Sequence, residues 1–222
     1  MSTTARAIPR SKPAAPSWEI LLVMAVSLGI SLVFPSLKII GILVPAVYLL
    51  VERRLRQRTW TEIGFNPKTF PKDLLRNLGW VLLVGVGAQA LSIFGAYFLL
   101  PEYSAHVIAR LPFSVNTNSI AVIVTLLIST LFEEIIYRGL FQNRISAFLS
   151  NPAAIGLTSL VFALMHYAPG PALIVFVDLA LIVVDSILYG IIFARSNNVF
   201  VAWVAHFLAD LVGMAFLLML VK

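Results

Sequence analysis

The sequence contains no cysteine and little charge. The absence of cysteine excludes disulfide bonds and thiolate catalysis, although it says little about the compartment. Only 12% of the residues are charged, about half the share found in an ordinary soluble domain. Hydrophobic residues make up 60% of the chain and the mean hydropathy is +0.96. This composition is typical of an integral membrane protein.

The sequence also shows no linker long enough to divide it, no strand pattern and no internal repeat. We therefore predict an all-α fold, a polytopic membrane helix bundle of about seven transmembrane helices, with residues 18–222 forming a single integral membrane domain. Residues 1–17 are predicted to be a flexible basic tail. The apolar run 18–34 is long for a signal peptide and no small-residue cleavage site follows it, which favours an uncleaved first span.

The predicted helices follow the apolar runs and the residues that interrupt them. A short apolar stretch covers 39–51, an amphipathic segment over 60–80 is expected in the headgroup region, and a span covers 78–100. The connection 101–118 is predicted to be a polar loop in which His106 is solvated. In the span 78–100, which precedes this loop, small residues such as Gly85 allow close helix packing. The remaining helices are predicted at 119–148, 152–167, 172–193 and 199–221.

The net charge of +6 arises largely from basic residues that flank apolar segments, so it indicates membrane topology and a lipid partner rather than nucleic acid. The basic-rich segments are 1–17, 52–76, 138–144 and position 195. With the N-terminus inside, all of them fall on the cytoplasmic side. We expect the cytoplasmic membrane of a bacterium, because the chain is short.

Residues 129–142 place Glu133, Glu134 and Arg138 in a largely apolar chain. Charged groups at membrane depth cost roughly 2.5 to 3.5 kcal/mol each on insertion scales, so they persist where they pair, face a cavity or act. Glu134 and Arg138 have the i, i+4 spacing of a helical ion pair, with the acid first. Glu133 is rotated from Glu134 by about 100° and has no such partner. For this stretch alone, a buried polar clamp and a functional site remain equal alternatives.

Two further pairs interrupt apolar helices at the same spacing, Phe162 with His166 and His206 with Asp210. Glu133 and His166 lie 17 and 16 residues from the turn between their helices. In an antiparallel hairpin their heights therefore differ by roughly 2 Å. His206 lies roughly 13 Å beyond the turn that precedes its own helix, on the same side, and can join them.

These residue types together favour a hydrolytic site. Glu133 can take a proton from water as a general base, and His166 can orient that water. His206 can donate to the oxyanion of a tetrahedral intermediate. Glu134 with Arg138 would fix the helix and balance charge. No serine or cysteine nucleophile is required.

Three segments resemble, in order and spacing, the motifs of the CPBP family of intramembrane proteases (CAAX protease and bacteriocin-processing, type II CAAX prenyl endopeptidase-like, also called Abi). They are FEEIIYRGLFQ at 132–142, SLVFALMH at 159–166 with its Phe162 and His166, and HFLAD at 206–210. The resemblance covers about residues 119–215, and the three motifs together are specific. The first 118 residues show only general similarity.

The resemblance implies an all-helical membrane fold with a catalytic cavity open toward the cytoplasm. It gives Glu133 and His166 the water-activating role, and His206 with residue 210 the oxyanion role. The family has been described both as metalloproteases and as metal-free glutamate proteases. We prefer the metal-free mechanism, which requires no cofactor, with zinc as the alternative.

The sequence departs from the family at Asp210, where asparagine is more usual. An amide donates a hydrogen bond to an oxyanion, whereas an ionised carboxylate cannot. Asp210 is therefore either protonated, or orients His206, or helps to bind a metal. With Glu133, His166 and His206 it would complete a ligand set for zinc. Asp178 and Asp185 share a helix face, and whether they line the cavity, bind substrate or pair elsewhere stays open.

The preferred function is an intramembrane endopeptidase that cleaves a membrane-associated peptide or protein near the membrane surface. The alternative is a non-proteolytic protein of the same fold, acting in bacteriocin immunity or as a scaffold for a partner. A scaffold has no need of His166 opposite Glu133, which favours the enzyme. A proton-coupled transporter is a third class, disfavoured because the sequence lacks inverted repeats.

Overall fold

The computed structural model describes residues 17–111 and 118–220, so the predicted tail lies outside the described residues except for Ser17. Within this part of the chain every regular element is helical, which confirms the all-α bundle. The α-helices are α1 (Ser17–Val33), α2 (Lys38–Leu55), α3 (Phe70–Leu82), α4 (Gln89–Leu99), α5 (Tyr103–Ala109), α6 (Ser119–Glu134), α7 (Asn143–Ile145), α8 (Asn151–Met165), α9 (Ala172–Ser196) and α10 (Val199–Leu220).

Five helices in the described part are long and apolar enough to cross a membrane. They are Pro35–Leu55, Phe70–Ala96, Ser119–Ile145, Ala172–Ser196 and Val199–Leu217. Two shorter apolar helices, Trp18–Val33 and Asn151–Met165, accompany them. The five candidate spans and these two shorter helices together make the seven transmembrane helices that the sequence predicts, provided that both shorter helices also cross the membrane. The protein is therefore an integral membrane protein with several spans.

The candidate span Phe70–Ala96 begins earlier than its apolar run indicates. α3 begins at Phe70 and continues through a π-helical segment, Leu83–Ala88, into α4. Pro71 stands in the first turn, where its missing N–H is not needed. The amphipathic stretch ending near residue 80 therefore supplies the first turns of the span. The helix predicted over 60–80 is therefore not a separate element, because its helical part from Phe70 onward is continuous with the span.

A short helix, α5, stands where the sequence predicts only a polar connection. Its residues Tyr103 and His106, with Arg110 directly after it, surround the buried carboxylate of Asp178 on α9. The hydroxyl of Tyr103 and an Nη of Arg110 each donate to Asp178 Oδ1 at 3.2 Å. Nε2 of His106 lies 3.4 Å from Asp178 Oδ2, and the His106 side chain is 7% exposed. The prediction that His106 is a solvated loop residue is wrong, because the buried carboxylate requires partners.

α10 packs against α3, α6 and α9 and against the π segment Leu83–Ala88. The last contact is close because Gly85 has no side chain. A Cβ at Gly85 would stand 2.8 Å from the carbonyl oxygen of Ala205 and 2.8 Å from the Cβ of Leu208. This confirms the role predicted for Gly85.

Basic side chains collect at one end of the bundle, which we call the basic end. Glu52 ties this end together, since its carboxylate lies 3.1 Å from an Nη of Arg144 and 2.9 Å from Nε of Arg58. Asn198 donates to Asp73 at 3.0 Å, joining the start of α10 to α3. The basic residues here are Arg53, Arg54, Arg56, Arg58, Lys68, Lys72, Arg144 and Arg195. We call the opposite end, which contains α5, the α5 end.

Replacing Gly85 by alanine is expected to destabilise the bundle. Overpacking costs typically about 1–3 kcal/mol and outweighs the helix propensity of about 1 kcal/mol that alanine gains over glycine. Gly87→Ala is the matched control, because its Cβ would meet only a Leu83 methyl carbon at 3.7 Å. The fraction of protein that stays monodisperse in detergent after heating measures both variants. Equal heat resistance of Gly85→Ala and Gly87→Ala would show that α10 can move away from the added Cβ at no cost in stability.

Candidate active site

The helix carrying the first motif changes its winding at the motif itself. α6 ends at Glu134 and passes into a π-helical segment, Ile135–Gln142, which continues into α7. Every residue of this segment after Ile135 is buried. π-helical turns within α-helices are rare and occur frequently at functional sites. The sequence predicts a regular helix here and does not reveal the change.

The predicted ion pair between Glu134 and Arg138 is present, with 3.1 Å between Oε1 and an Nη. Both side chains are fully buried. The other Nη of Arg138 donates to the carbonyl oxygen of Ser186 at 3.0 Å and to its hydroxyl at 2.9 Å. The guanidinium lies 5.0 Å from the ring centroid of Phe162 and 5.4 Å from that of Tyr189. The pair is thus enclosed by side chains and backbone of α8 and α9.

His206 is held on two sides. Its Nδ1 donates to Glu134 Oε1 at 2.8 Å, which places a proton on Nδ1. Its ring stacks on Tyr189, with 4.5 Å between centroids and 19° between planes. Nε2 therefore faces the remaining carboxylates, at 3.8 Å from Glu133 Oε2 and 3.8 Å from Asp210 Oδ1.

His166 lies opposite Glu133, at the depth that the hairpin argument predicts. Its Nε2 is 4.0 Å from Glu133 Oε2. Its Nδ1 donates to the carbonyl oxygen of Phe162 at 2.8 Å, so the nitrogen that faces Glu133 is the free one in a neutral ring. The Phe162 ring lies against the His166 ring, with 4.5 Å between centroids.

The two histidine nitrogens stand at similar distances from one carboxylate oxygen of Glu133. Separations of 3.8 and 4.0 Å are too long for a direct hydrogen bond. A water molecule at about 2.8 Å from both atoms of either pair fits these separations. The geometry therefore suits a bridging water that Glu133 can deprotonate.

These residues share one cavity of about 270 Å³. Glu133, His166, His206 and Asp210 line it, and so does Asp185. Elsewhere its wall is mostly apolar, with Leu126, Met214 and Leu217 among the lining residues. Asp178, which shares the face of Asp185, binds α5 instead.

The four residues proposed for zinc do not form a metal site in this arrangement. Within residues 17–111 and 118–220, no group of three or more histidine, cysteine, aspartate or glutamate side chains could hold a metal ion. We therefore derive no step through a metal.

Ser186 contacts the ion pair, and Tyr189 contacts both the ion pair and His206, but the sequence predicts neither residue. A serine and a tyrosine in an apolar helix carry no charge signal. The signal that the sequence offers for them is their position, since they follow Asp185 by one and four residues. Their roles depend on contacts between distant helices.

The cavity lies away from the basic end, since none of its lining residues belongs to that end. From the sequence we expect the basic segments on the cytoplasmic side and, from the resemblance, a cavity open toward the cytoplasm. The two expectations conflict, because the site and the basic segments do not share an end of the bundle.

The fold and the site define a polytopic membrane protein with a carboxylate–histidine centre in an internal cavity. Residues 115–212 match the sequence model of the family described as Type II CAAX prenyl endopeptidase Rce1-like. The match contains all three motifs, confirms the resemblance to the CPBP family, and supports a membrane protease at that general level. No curated protein and no solved structure matches the chain.

Arg138→Met is expected to destabilise the protein by about 3–5 kcal/mol, because it leaves the carboxylate of Glu134 buried without a counter-charge. The double variant Glu134→Gln, Arg138→Met removes both charges and should recover part of this loss. Heat resistance in detergent, measured by size-exclusion chromatography, compares the two. A double variant as unstable as the single one would assign the effect to the contacts with Ser186.

Asp178→Asn is expected to loosen α5, because it removes the charge that its partners share. Hydrogen bonds to charged groups contribute roughly 1.5–3 kcal/mol, so amide exchange in Tyr103–Ala109 should be roughly 10- to 100-fold faster. Hydrogen–deuterium exchange with mass spectrometry measures this change. Asp185→Asn, on the same helix, is the matched control and should leave exchange in α5 as it is. Unchanged exchange in Asp178→Asn would contradict the anchoring role.

Proposed function

We propose that the protein is an intramembrane endopeptidase that hydrolyses a peptide bond in a membrane-associated peptide or protein. The observation that carries this proposal is the position of Glu133 Oε2, within 4.0 Å of Nε2 on both His166 and His206, inside a cavity of a membrane bundle. A scaffold or immunity protein has no use for this convergence. Because the matched family is described as prenyl endopeptidases, a prenylated peptide is one substrate class to test.

In this mechanism Glu133 and His166 activate the water molecule. A water between them gives a proton to the Glu133 carboxylate, and His166 orients it by accepting a hydrogen bond at Nε2. The resulting hydroxide attacks the carbonyl carbon of the peptide bond. When the C–N bond breaks, the proton held by Glu133 passes to the leaving amine, so the site returns to its starting state.

His206 stabilises the oxyanion of the tetrahedral intermediate. With both ring nitrogens protonated, Nδ1–H remains on Glu134 and Nε2–H points to the cavity, where it can donate to the oxyanion. The stack on Tyr189 and the bond to Glu134 hold the ring, so little reorganisation accompanies the reaction. Asp210 assists only in its protonated form, since a carboxylate would repel the oxyanion.

Glu133→Ala is expected to abolish cleavage, because loss of a general base typically costs about 10²- to 10⁴-fold in rate. The measurement compares protein termini in membranes from cells that carry the wild type or Glu133→Ala at equal abundance. Termini that vanish in the variant identify the substrate and the cleaved bond. Glu62→Ala, an exposed glutamate outside the cavity, is the matched control and should leave the termini unchanged.

Identical termini in both membranes, together with an effect of deleting the whole protein, would refute the endopeptidase. The immunity or scaffold function would then take its place. His166→Ala extends the test, since the proposed mechanism requires the same loss there. Full cleavage by His166→Ala would remove that residue from water activation.

A further inference from the structure

The position of the cavity along the bundle determines the side from which a substrate reaches it. At 1.5 Å per residue, His206 lies roughly 10 Å along α10 from its start at the basic end, and Leu217 lies roughly 27 Å along it. Both line the cavity, as does Val107 of α5. The cavity therefore extends from the histidine toward the α5 end.

The opposite direction is closed by packed side chains. Beyond the ion pair, toward the basic end, lie residues that are 0–1% exposed: Leu140, Phe141, Ile192, Val199 and Ala202. Arg138 itself is fully buried. A peptide cannot pass through a layer packed in this way. The basic end therefore offers no path to Glu133.

Exposure of the site residues rises in the direction of the α5 end. The His206 side chain is 5% exposed, that of Glu133 is 27% exposed, and that of Asp210, one turn farther along α10, is 39% exposed. This gradient is the one expected of a site whose floor is His206 and whose opening lies beyond Asp210.

The basic end has the features of a cytoplasmic membrane surface. Arginine and lysine in short loops mark that side. Tryptophans, which concentrate at membrane interfaces, pair with two of these cations, since Arg53 lies 4.1 Å from the ring centroid of Trp60 and Arg195 lies 5.2 Å from that of Trp80. Among the described residues, the α5 end carries the basic side chains Lys38 and Arg110, and Arg110 is paired with Asp178.

We propose that substrate enters from the extracytoplasmic side of the membrane, so that the enzyme acts on membrane-anchored peptides presented at that face. This keeps the N-terminus inside and replaces the expectation of a cavity open toward the cytoplasm. The substrate class rests on the proposed function. The direction of access rests on geometry and charge alone.

The absence of cysteine makes the direction of access measurable, because single cysteines can be introduced without background. Ser129→Cys reports on the cavity wall, one turn before Glu133 and outside the groups assigned to catalysis. Glu102→Cys and Lys68→Cys, both at exposed positions, report on the α5 end and the basic end. Intact cells are treated with a small, charged, membrane-impermeant methanethiosulfonate, and a second sample is treated after the membrane is opened.

We expect Ser129→Cys and Glu102→Cys to react in intact cells, and Lys68→Cys to react only after opening. The unmodified chain is the control and should not react. Reaction of Lys68→Cys in intact cells would overturn the proposal, as would reaction of Ser129→Cys only after opening. Failure of Ser129→Cys to react in either sample would overturn it too, because the cavity would then have no open path.

Labelling requires no catalysis, so its outcome is separate from that of the comparison of termini. If both proposals hold, treating intact Ser129→Cys cells with the reagent stops the cleavage identified in that comparison. If the site is reached from outside but no cleavage exists, the labelling pattern appears and no termini change with Glu133. Cleavage with the reverse labelling pattern would leave the endopeptidase standing and remove external access.

Discussion

The ion pair between Glu134 and Arg138 constrains the rest of this structure. Neither charge can be left alone in a membrane interior, and both are fully buried. Removing one partner of such a pair is costly, because the other is left without compensation. The pair therefore holds α6 and its π segment against Ser186 on α9, Phe162 on α8 and His206 on α10. Four apolar helices, whose contacts with one another resemble those with lipid, acquire a defined register through these polar contacts.

The same pair orients the proposed chemistry. Oε1 of Glu134 accepts from Nδ1 of His206 and is also the oxygen that faces Arg138, so one atom links the fixed cation to the ring. The proposed base, Glu133, is the next residue in the chain but faces the cavity instead. Adjacent residues on a helix differ by about 100° in direction. Glu134 can therefore face the ion pair while Glu133 faces the cavity, so one glutamate is structural and its neighbour is reactive.

Sequence patterns predicted what depends on local spacing. The i, i+4 pairs, the order of the helices and the common height of Glu133 and His166 follow from the geometry of helices and hairpins, and the structure agrees with each. The contact between Glu134 and His206 could not be predicted, because the two are 72 residues apart and no spacing rule connects them. α5 was missed for a related reason, since its anchor, Asp178, lies on a distant helix. The early start of α3 was missed because apolar runs mark the part of a helix within lipid rather than its ends.

The π segment Ile135–Gln142 joins the site to the basic end, and its winding determines how many residues lie between the two. A π turn closes its hydrogen bond over five residues instead of four, so it contains one residue more than the α turn it replaces. Deleting one residue within the segment would let it rewind as an α-helix with Glu133 and Glu134 unmoved. Rewinding the segment as an α-helix with no residue deleted would instead turn Arg144 by about 100° about the axis and take it from its place beside Glu52. Homologous proteins with or without this insertion would therefore keep both the motif and the way in which α7 meets α2.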